Sequence, residues 1–327
     1  MTLAFILRSA RACTALAAAI ASVPMSAVAQ SYPARPITFI VPFAAGSATD
    51  QLARALGTSI TQETKQAVIV DNKAGASGMM AAQAAAKAAA DGYTVLITTN
   101  TTHAANEHLY KKLSYDPAKD FAPVTGLGKG GQVLVVKSDA PYKTVGELIA
   151  DATKNPGKLT FGSGSSSSRV AGEMFKQLTH TDILHVPYKS NPNAVTDLLG
   201  GQITFMITDT ATGLPQIKGG KLRALGVSTT RRIALLPDTP TLDEAGVKGY
   251  DMGYWFAAYV PAGTPAALVG RLHELLVNGT RSAAAKTFFE GTGSDSWTTT
   301  PDELARFQAS EAQKWGKVIK AAGIEPE

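Results

Sequence analysis

Four short loops hold the residues of this chain best suited to chemistry. They are Phe43-Ala44-Ala45-Gly46-Ser47, Ala74-Gly75-Ala76-Ser77-Gly78, Thr98-Thr99-Asn100-Thr101-Thr102 and Gly162-Ser163-Gly164-Ser165-Ser166-Ser167-Ser168. Three of them run directly into stretches with helical character. Small side chains let backbone N–H groups approach a ligand closely. A helix start adds unpaired donors and a partial positive charge. Loops of this kind hold a carboxylate or phosphate without needing an arginine. Taken singly, each reads first as a helix cap or tight turn. Four in one chain, all at strand ends, tip the balance toward anion binding.

Other chemistries find less support. Gly126-Leu127-Gly128-Lys129-Gly130-Gly131 has the G-x-G-x-x-G spacing, but it leads into the strand-like Gln132-Val133-Leu134-Val135-Val136 rather than a helix, so it is no dinucleotide fingerprint. It reads instead as a glycine-rich hinge. The chain has no Walker A pattern and no G-x-S-x-G elbow. Its five histidines, His103, His108, His180, His185 and His273, form no pair with zinc-site spacing. No metal, cofactor or catalytic residue is expected. A secreted hydrolase using a serine of 165–168 is the enzymatic rival, and it lacks an evident base. His103 stays open as a ligand contact, whereas His185 reads as structural. Asp209, at the end of a strand at 203–207, is expected to face the same cleft. There it would hold water, a hydroxyl or an ammonium group, or else cap the following helix. Tyr188 and Trp255-Phe256 offer aromatic walls, although core packing is the favoured reading of Trp255 and Phe256.

The elements that would position these residues alternate regularly. Strands are expected at Ile37–Val41, 67–70 and 94–98, with helices at 50–63 and 78–90. A second unit follows, with strands at 133–136, 159–161, 183–186, 203–207, Leu222–Val227 and 255–260. Its helices fall at Val145–Lys154, 168–178 and 194–199. Helices at 265–278 and Pro301–Ala321 close the chain, each opening at a proline as a first helical turn allows. Phe307 and Trp315 share one face of the last, as core packing would require. Continuous β-branched runs separated by helices imply parallel sheet covered on both faces. In such sheets ligands bind beyond the strands' carboxyl ends.

The first 29 residues read as an export signal. Arg8 and Arg11 precede an apolar run at 12–23, and Ala27-Val28-Ala29 fits an A-x-A cleavage site. The run is too short to span a bilayer, which takes about 20 residues. Cleavage after Ala29 leaves 298 of the 327 residues, with 29 basic and 26 acidic side chains. That small excess forms no basic stripe of the kind nucleic acid requires. The single cysteine, Cys13, falls inside the signal, so the exported chain would carry no disulfide, as an oxidising compartment permits.

Ordered motifs along the remaining chain resemble a known family, the periplasmic solute-binding (Bug) receptors of tripartite tricarboxylate transporters. They include Tyr32-Pro33-Ala34-Arg35-Pro36-Ile37, Val41-Pro42-Phe43-Ala44-Ala45-Gly46, Ala90-Asp91-Gly92-Tyr93-Thr94 and Tyr115-Asp116-Pro117-Ala118-Lys119-Asp120-Phe121. Further on stand His185-Val186-Pro187-Tyr188-Lys189, Asp197-Leu198-Leu199-Gly200-Gly201-Gln202, Leu236-Pro237-Asp238-Thr239-Pro240-Thr241 and Pro261-Ala262-Gly263-Thr264-Pro265. The resemblance implies an α/β, two-lobed type II periplasmic binding protein (a Venus flytrap), each lobe a mostly parallel sheet flanked by helices. Lobe 1 would comprise 31–128 plus 250–327, and lobe 2 would comprise 129–249. Phe43, Ala44, Gly46 and Ser47, with Gly75, Ala76 and Ser77, would hold one carboxylate end. Thr99, Thr101, Thr102, His103, Ser163, Ser165, Ser166 and Ser167, with Arg169, Tyr188 and Asp209, would read the rest.

Three departures fall in this region. Ser47 stands where family members usually carry glycine, Arg169 where histidine is common, and Thr210-Ala211-Thr212 where asparagine often follows the aspartate. Arg169 is expected to pair with the distal end of a dicarboxylate. The chain thus reads as a monomeric, non-catalytic periplasmic receptor. It would capture a small organic carboxylate, a dicarboxylate or an aromatic or amino-acid anion. Closure would occur about 126–131 and a second crossing at 228–253. Its partner would be membrane transporter subunits or, alternatively, a sensor kinase.

Overall fold

Runs of buried β-branched residues build a mixed sheet. The computed structural model describes residues 32–327, and the expected signal segment lies outside them. Arg35–Glu327 forms one contact unit. Its strands are β1 (Ile37–Val41), β2 (Val68–Asn72), β3 (Thr94–Thr99), β4 (Phe121–Lys137), β5 (Thr160–Ser163), β6 (Leu184–Pro187), β7 (Phe205–Asp209), β8 (Leu222–Val227), β9 (Gly253–Pro261) and β10 (Asp295–Ser296). The helices are α1 (Ala48–Thr64), α2 (Met79–Ala86), α3 (Asn106–Leu109), α4 (Val145–Lys154), α5 (Ser166–Thr179), α6 (Asn191–Leu199), α7 (Thr210–Lys218), α8 (Ala266–Thr280), α9 (Ala283–Thr292) and α10 (Pro301–Ala321).

The sheet order is β2-β1-β3-β9-β4-β7-β5-β6, with β8 and β10 also paired to β4. The outer strands are parallel, as expected: β1 with β2 and β3, and β5 with β6 and β7. The middle is not, because β9 runs antiparallel to both β3 and β4, and β4 runs antiparallel to β7 and β8.

Strand β4 is the shared element. It pairs with β9 from Phe121 to Gly131, then with β7 from Gln132 to Val136. Val133, Leu134, Val135 and Val136 are all fully buried. Val133 and Val135 belong to one apolar cluster and Leu134 and Val136 to the other, as the two-residue period of a strand dictates. The glycines at 126–131 lie inside this strand rather than in a loose connection. At Gly130 no side chain fits, because a Cβ would stand 2.5 Å from Tyr254 Cζ.

Several expectations shift at element ends. The alanine-rich helix is shorter than 78–90, stopping at Ala86. Helix α9 went unread, its apolar positions being mostly small alanines. Phe307 and Trp315 do share the packed face of α10. Trp315 is buried, and the Phe307 ring lies 4.5 Å from Trp297 and 5.5 Å from Trp255.

Candidate functional site

The loop after β1 is set by a buried carboxylate. Asp50, in the first turn of α1, accepts from the Gly46 N–H at 2.9 Å, Arg54 Nε at 3.0 Å and Asn72 Nδ2 at 3.0 Å. Burial pushes its pKa up, but these donors outweigh it and hold the value below the usual carboxylate range. Asn72 Nδ2 also donates to the Phe43 carbonyl. The loop is therefore tied at both ends before any ligand arrives.

Four helices begin around one partly open cavity. Ser47, Ala48 and Thr49 bring the start of α1, and Ser165 and Ser167 that of α5. Asn191 and Asp209 bring the starts of α6 and α7. Ser47 caps α1, Ser165 caps α5 in a capping box with Ser168, and Asp209 caps α7 through Thr212. The capping and cleft-lining roles of these residues thus coexist. Each helix start turns its partial positive charge toward the cavity. Phe43, Tyr254 and Phe256 supply apolar walls, and Thr99 and Gln132 complete the lining.

The walls are locked to one another. Gly164 N–H donates to Asn191 Oδ1 at 3.0 Å, and Asn191 Nδ2 donates to Asp209 Oδ2 at 2.8 Å. Gly164 is required there, since a Cβ would overlap the backbone of Ser190 and Asn191. From the other half of the sheet, Thr101 Oγ1 lies 3.0 Å from Ser167 Oγ, and Ser166 Oγ donates to Asn106 Oδ1 at 2.6 Å.

A second cavity, of about 360 Å³, meets the first at Ser165. Ala76, Ser77 and Tyr110 line it from one half of the sheet, and Ser163, Arg169, His185, Pro187, Tyr188 and Lys189 from the other. Ala76 and Ser77 both hold positive φ, 46° and 49°, a strained geometry for residues with a Cβ. Hydrogen bonds from Asn106 Nδ2 to the Ser77 carbonyl and from Tyr110 Oη to Ser77 Oγ brace it.

Residues 52–324 match the family described as the tripartite tricarboxylate transporter family receptor. The chain belongs to this family. BugT of Bordetella pertussis is 34% identical over 298 residues, covering 90% of this chain and 91% of BugT. The periplasmic binding protein BugD superposes with a TM-score of 0.87 at 31% identity, covering 90% of this chain and 100% of BugD. Rpa4515 of R. palustris, solved with adipate, gives 0.87 at 34% identity, again over 90% of this chain and 100% of the other. The two-lobed periplasmic-binding-protein fold is therefore that of this receptor.

Within the receptor, the expected contacts divide by position. Phe43, Ser47, Thr99, Ser165, Ser167 and Asp209 line the first cavity, and Ala76, Ser77, Ser163, Ser165, Arg169 and Tyr188 line the second. Ala44, Gly46, Gly75, Thr101, Thr102 and Ser166 line neither. Gly46, Thr101 and Ser166 instead hold the walls together through the bonds above. Thr102 Oγ1 is bonded to Thr98 Oγ1 and His103 Nδ1.

His103, expected as a ligand contact, is fully buried and lines neither cavity. The Asn106 N–H reaches back five residues to the Thr101 carbonyl, forming a single π-helical turn, and all of 101–105 is buried. The His103 ring stacks on Tyr259 at 3.9 Å and packs against Phe121 at 4.8 Å. Burial lowers its pKa to about 3, leaving it neutral.

His185 does meet a serine, with Nε2 lying 2.7 Å from Ser163 Oγ. Burial, then the charges of Arg169 and Lys176, hold its pKa at about 4.

Gln132, Asn191 and Tyr254 line the first cavity, and Tyr110, Lys189 and Glu327 the second, without any sequence expectation, while Phe256, favoured as core, does line the first. Asn191-Pro192 carries a helix-start signal, since proline is favoured in the first turn.

Proposed function

We propose that this receptor is exported to the periplasm and captures a small organic carboxylate in the paired cavities. It closes on the ligand by hinge motion and passes it to the membrane subunits of a tripartite tricarboxylate transporter. It binds without turnover. The observation that carries this reading is the convergence of four helix starts on a cavity with aromatic walls and no cationic side chain among its lining residues. Such a site neutralises a carboxylate with backbone donors. The adipate found in the R. palustris relative suits the same chemistry. The lobes would exchange at β4, which changes partners between Gly131 and Gln132, and again in the connection from β8 to β9. Hinge closure around a ligand is an established mode for such proteins.

The test is a thermal-shift panel of mono-, di- and tricarboxylates, aromatic acids and acidic amino acids on the exported form. A ligand at 100 times its dissociation constant adds about 2.7 kcal/mol of stability. One strong hit supports the reading and names the class. If no acid shifts the transition and mass spectrometry of the denatured protein finds nothing bound, the carboxylate reading fails.

A further inference from the structure

The second cavity contains an ion pair that the capture of a carboxylate does not require. Arg169, on α5, contacts the Glu327 carboxylate through Nη1. Glu327 belongs to the other half of the molecule. Its N–H donates to the Leu109 carbonyl at 3.0 Å, and its carbonyl accepts from the Lys111 N–H at 2.9 Å. Two backbone bonds thus fix this residue at the end of α3, and its side chain alone crosses to α5.

The charges around the cavity give the pair its meaning. Arg169 and Lys189 are the cations in the lining, Glu327 is the anion, and His185 is neutral. Arg169 has a side-chain exposure of 19%, against 59% for Glu327. The arginine is therefore held by the fold, while the glutamate is free to swing into solvent. Arg169 Nε–H is buried without an acceptor, so Glu327 does not satisfy the guanidinium. A carboxylate presented in the bidentate geometry that arginine favours would do so.

We propose that Glu327 guards Arg169. It occupies the place of a ligand's second carboxylate, and a dianionic ligand must displace it. Glu327 is then a specificity-determining residue that lowers the preference for dianions over monoanions. This rests on the carboxylate-receptor reading above.

The test compares adipate with hexanoate, which has the same carbon count and one carboxylate fewer, by calorimetry on the receptor and on its Glu327→Gln and Arg169→Gln variants. Glu327→Gln is expected to raise adipate affinity roughly three- to fivefold, the size of a partly exposed ion pair, with hexanoate unchanged. Arg169→Gln is expected to remove the dianion preference. An unchanged adipate-to-hexanoate ratio in Glu327→Gln overturns the proposal.

A second readout needs no ligand. Phenylglyoxal modification of Arg169, followed by peptide mass spectrometry, is expected to run several times faster in Glu327→Gln than in the parent. Equal rates overturn the guard even if both acids bind. If neither acid binds the parent, the labelling rates alone decide whether Glu327 masks Arg169, and the wider acid panel decides the receptor reading.

Discussion

Thr101 Oγ1 and Ser167 Oγ stand 3.0 Å apart, one on the π turn after β3 and the other in the first turn of α5. One residue before Ser167, Ser166 Oγ donates to the buried Asn106 Oδ1 at 2.6 Å. Both bonds cross between the two halves of the sheet beside the first cavity. Under the hinge closure proposed above, they would form when α5 approaches the π turn.

Removing one of them tests that relationship. Ser166→Ala leaves Asn106 Oδ1 without a donor only while the halves are together. An unmade buried bond costs about 1–3 kcal/mol. If closure makes this bond, ligand affinity falls by roughly tenfold, since about 1.4 kcal/mol is a factor of ten. The urea midpoint of the ligand-free protein barely moves. Calorimetry and urea titration on the same variant separate the two. A lost midpoint with unchanged affinity would show the contact to be permanent.

Asp209 has two duties that substitution can divide. Its Oδ1 caps α7 through the Thr212 N–H at 2.8 Å, while Oδ2 accepts from Asn191 at the cavity wall. Asp209→Ala loses the cap and should cost about 0.5–2 kcal/mol of stability. Asp209→Asn keeps an acceptor for the cap but removes the negative charge. It also sets an amide donor against Asn191 Nδ2, so it should lose about 1 kcal/mol, the net worth of one hydrogen bond. Affinity for aspartate relative to succinate should fall, because the carboxylate that would favour an ammonium group is gone. Unchanged discrimination in Asp209→Asn would exclude the carboxylate from ligand selection.

The buried histidines set an acid limit. His103 holds a pKa near 3 in the folded chain, against an ordinary 6.5. Below pH 6.5 the unfolded chain therefore takes up a proton that the folded chain does not. Stability is full above pH 6.5 and falls as the pH drops toward 3. The slope approaches about 1.4 kcal/mol per pH unit for one such group. His185, held near 4, adds a second contribution of the same sign. Urea unfolding at pH 7.5, 5.5 and 4.5 should show His103→Phe losing less stability across this range than the parent. Equal pH dependence in the two proteins would mean that His103 is protonated in the fold.

The fold was legible where period and burial agree. The run 133–136 shows its strand because both faces are covered, and the starts of α4 and α10 carry Thr144 with Glu147 and Thr300 with Glu303, each pair forming a capping box. The loops were legible because small residues before a helix have few other uses. What could not be read lies between distant positions. Gln132 sits among valines and looks like part of the strand. Glu327 meets Arg169 across 158 positions. His103 looks like a loop residue until the π turn rotates the segment inward onto Phe121 and Tyr259.

The glycine run at 126–131 offers the clearest test of what glycine does here. If it supplies looseness for a hinge, Gly126→Ala and Gly130→Ala should act alike on ligand binding. The packing says otherwise. A Cβ at Gly126 would meet the Trp297 ring at 2.6 Å, while one at Gly130 would meet Tyr254 at 2.5 Å. Trp297 is absent from the first cavity's lining, whereas Tyr254 forms part of its wall. Forcing a methyl into either place costs roughly 1–3 kcal/mol of overpacking, so both variants should lose stability by urea unfolding. Only Gly130→Ala displaces a cavity wall. It should weaken carboxylate binding by roughly tenfold, an energy of about 1.4 kcal/mol, while Gly126→Ala binds as the parent does. Equal losses of affinity in both would restore the hinge as the reason for the glycines and remove Tyr254 as the cause.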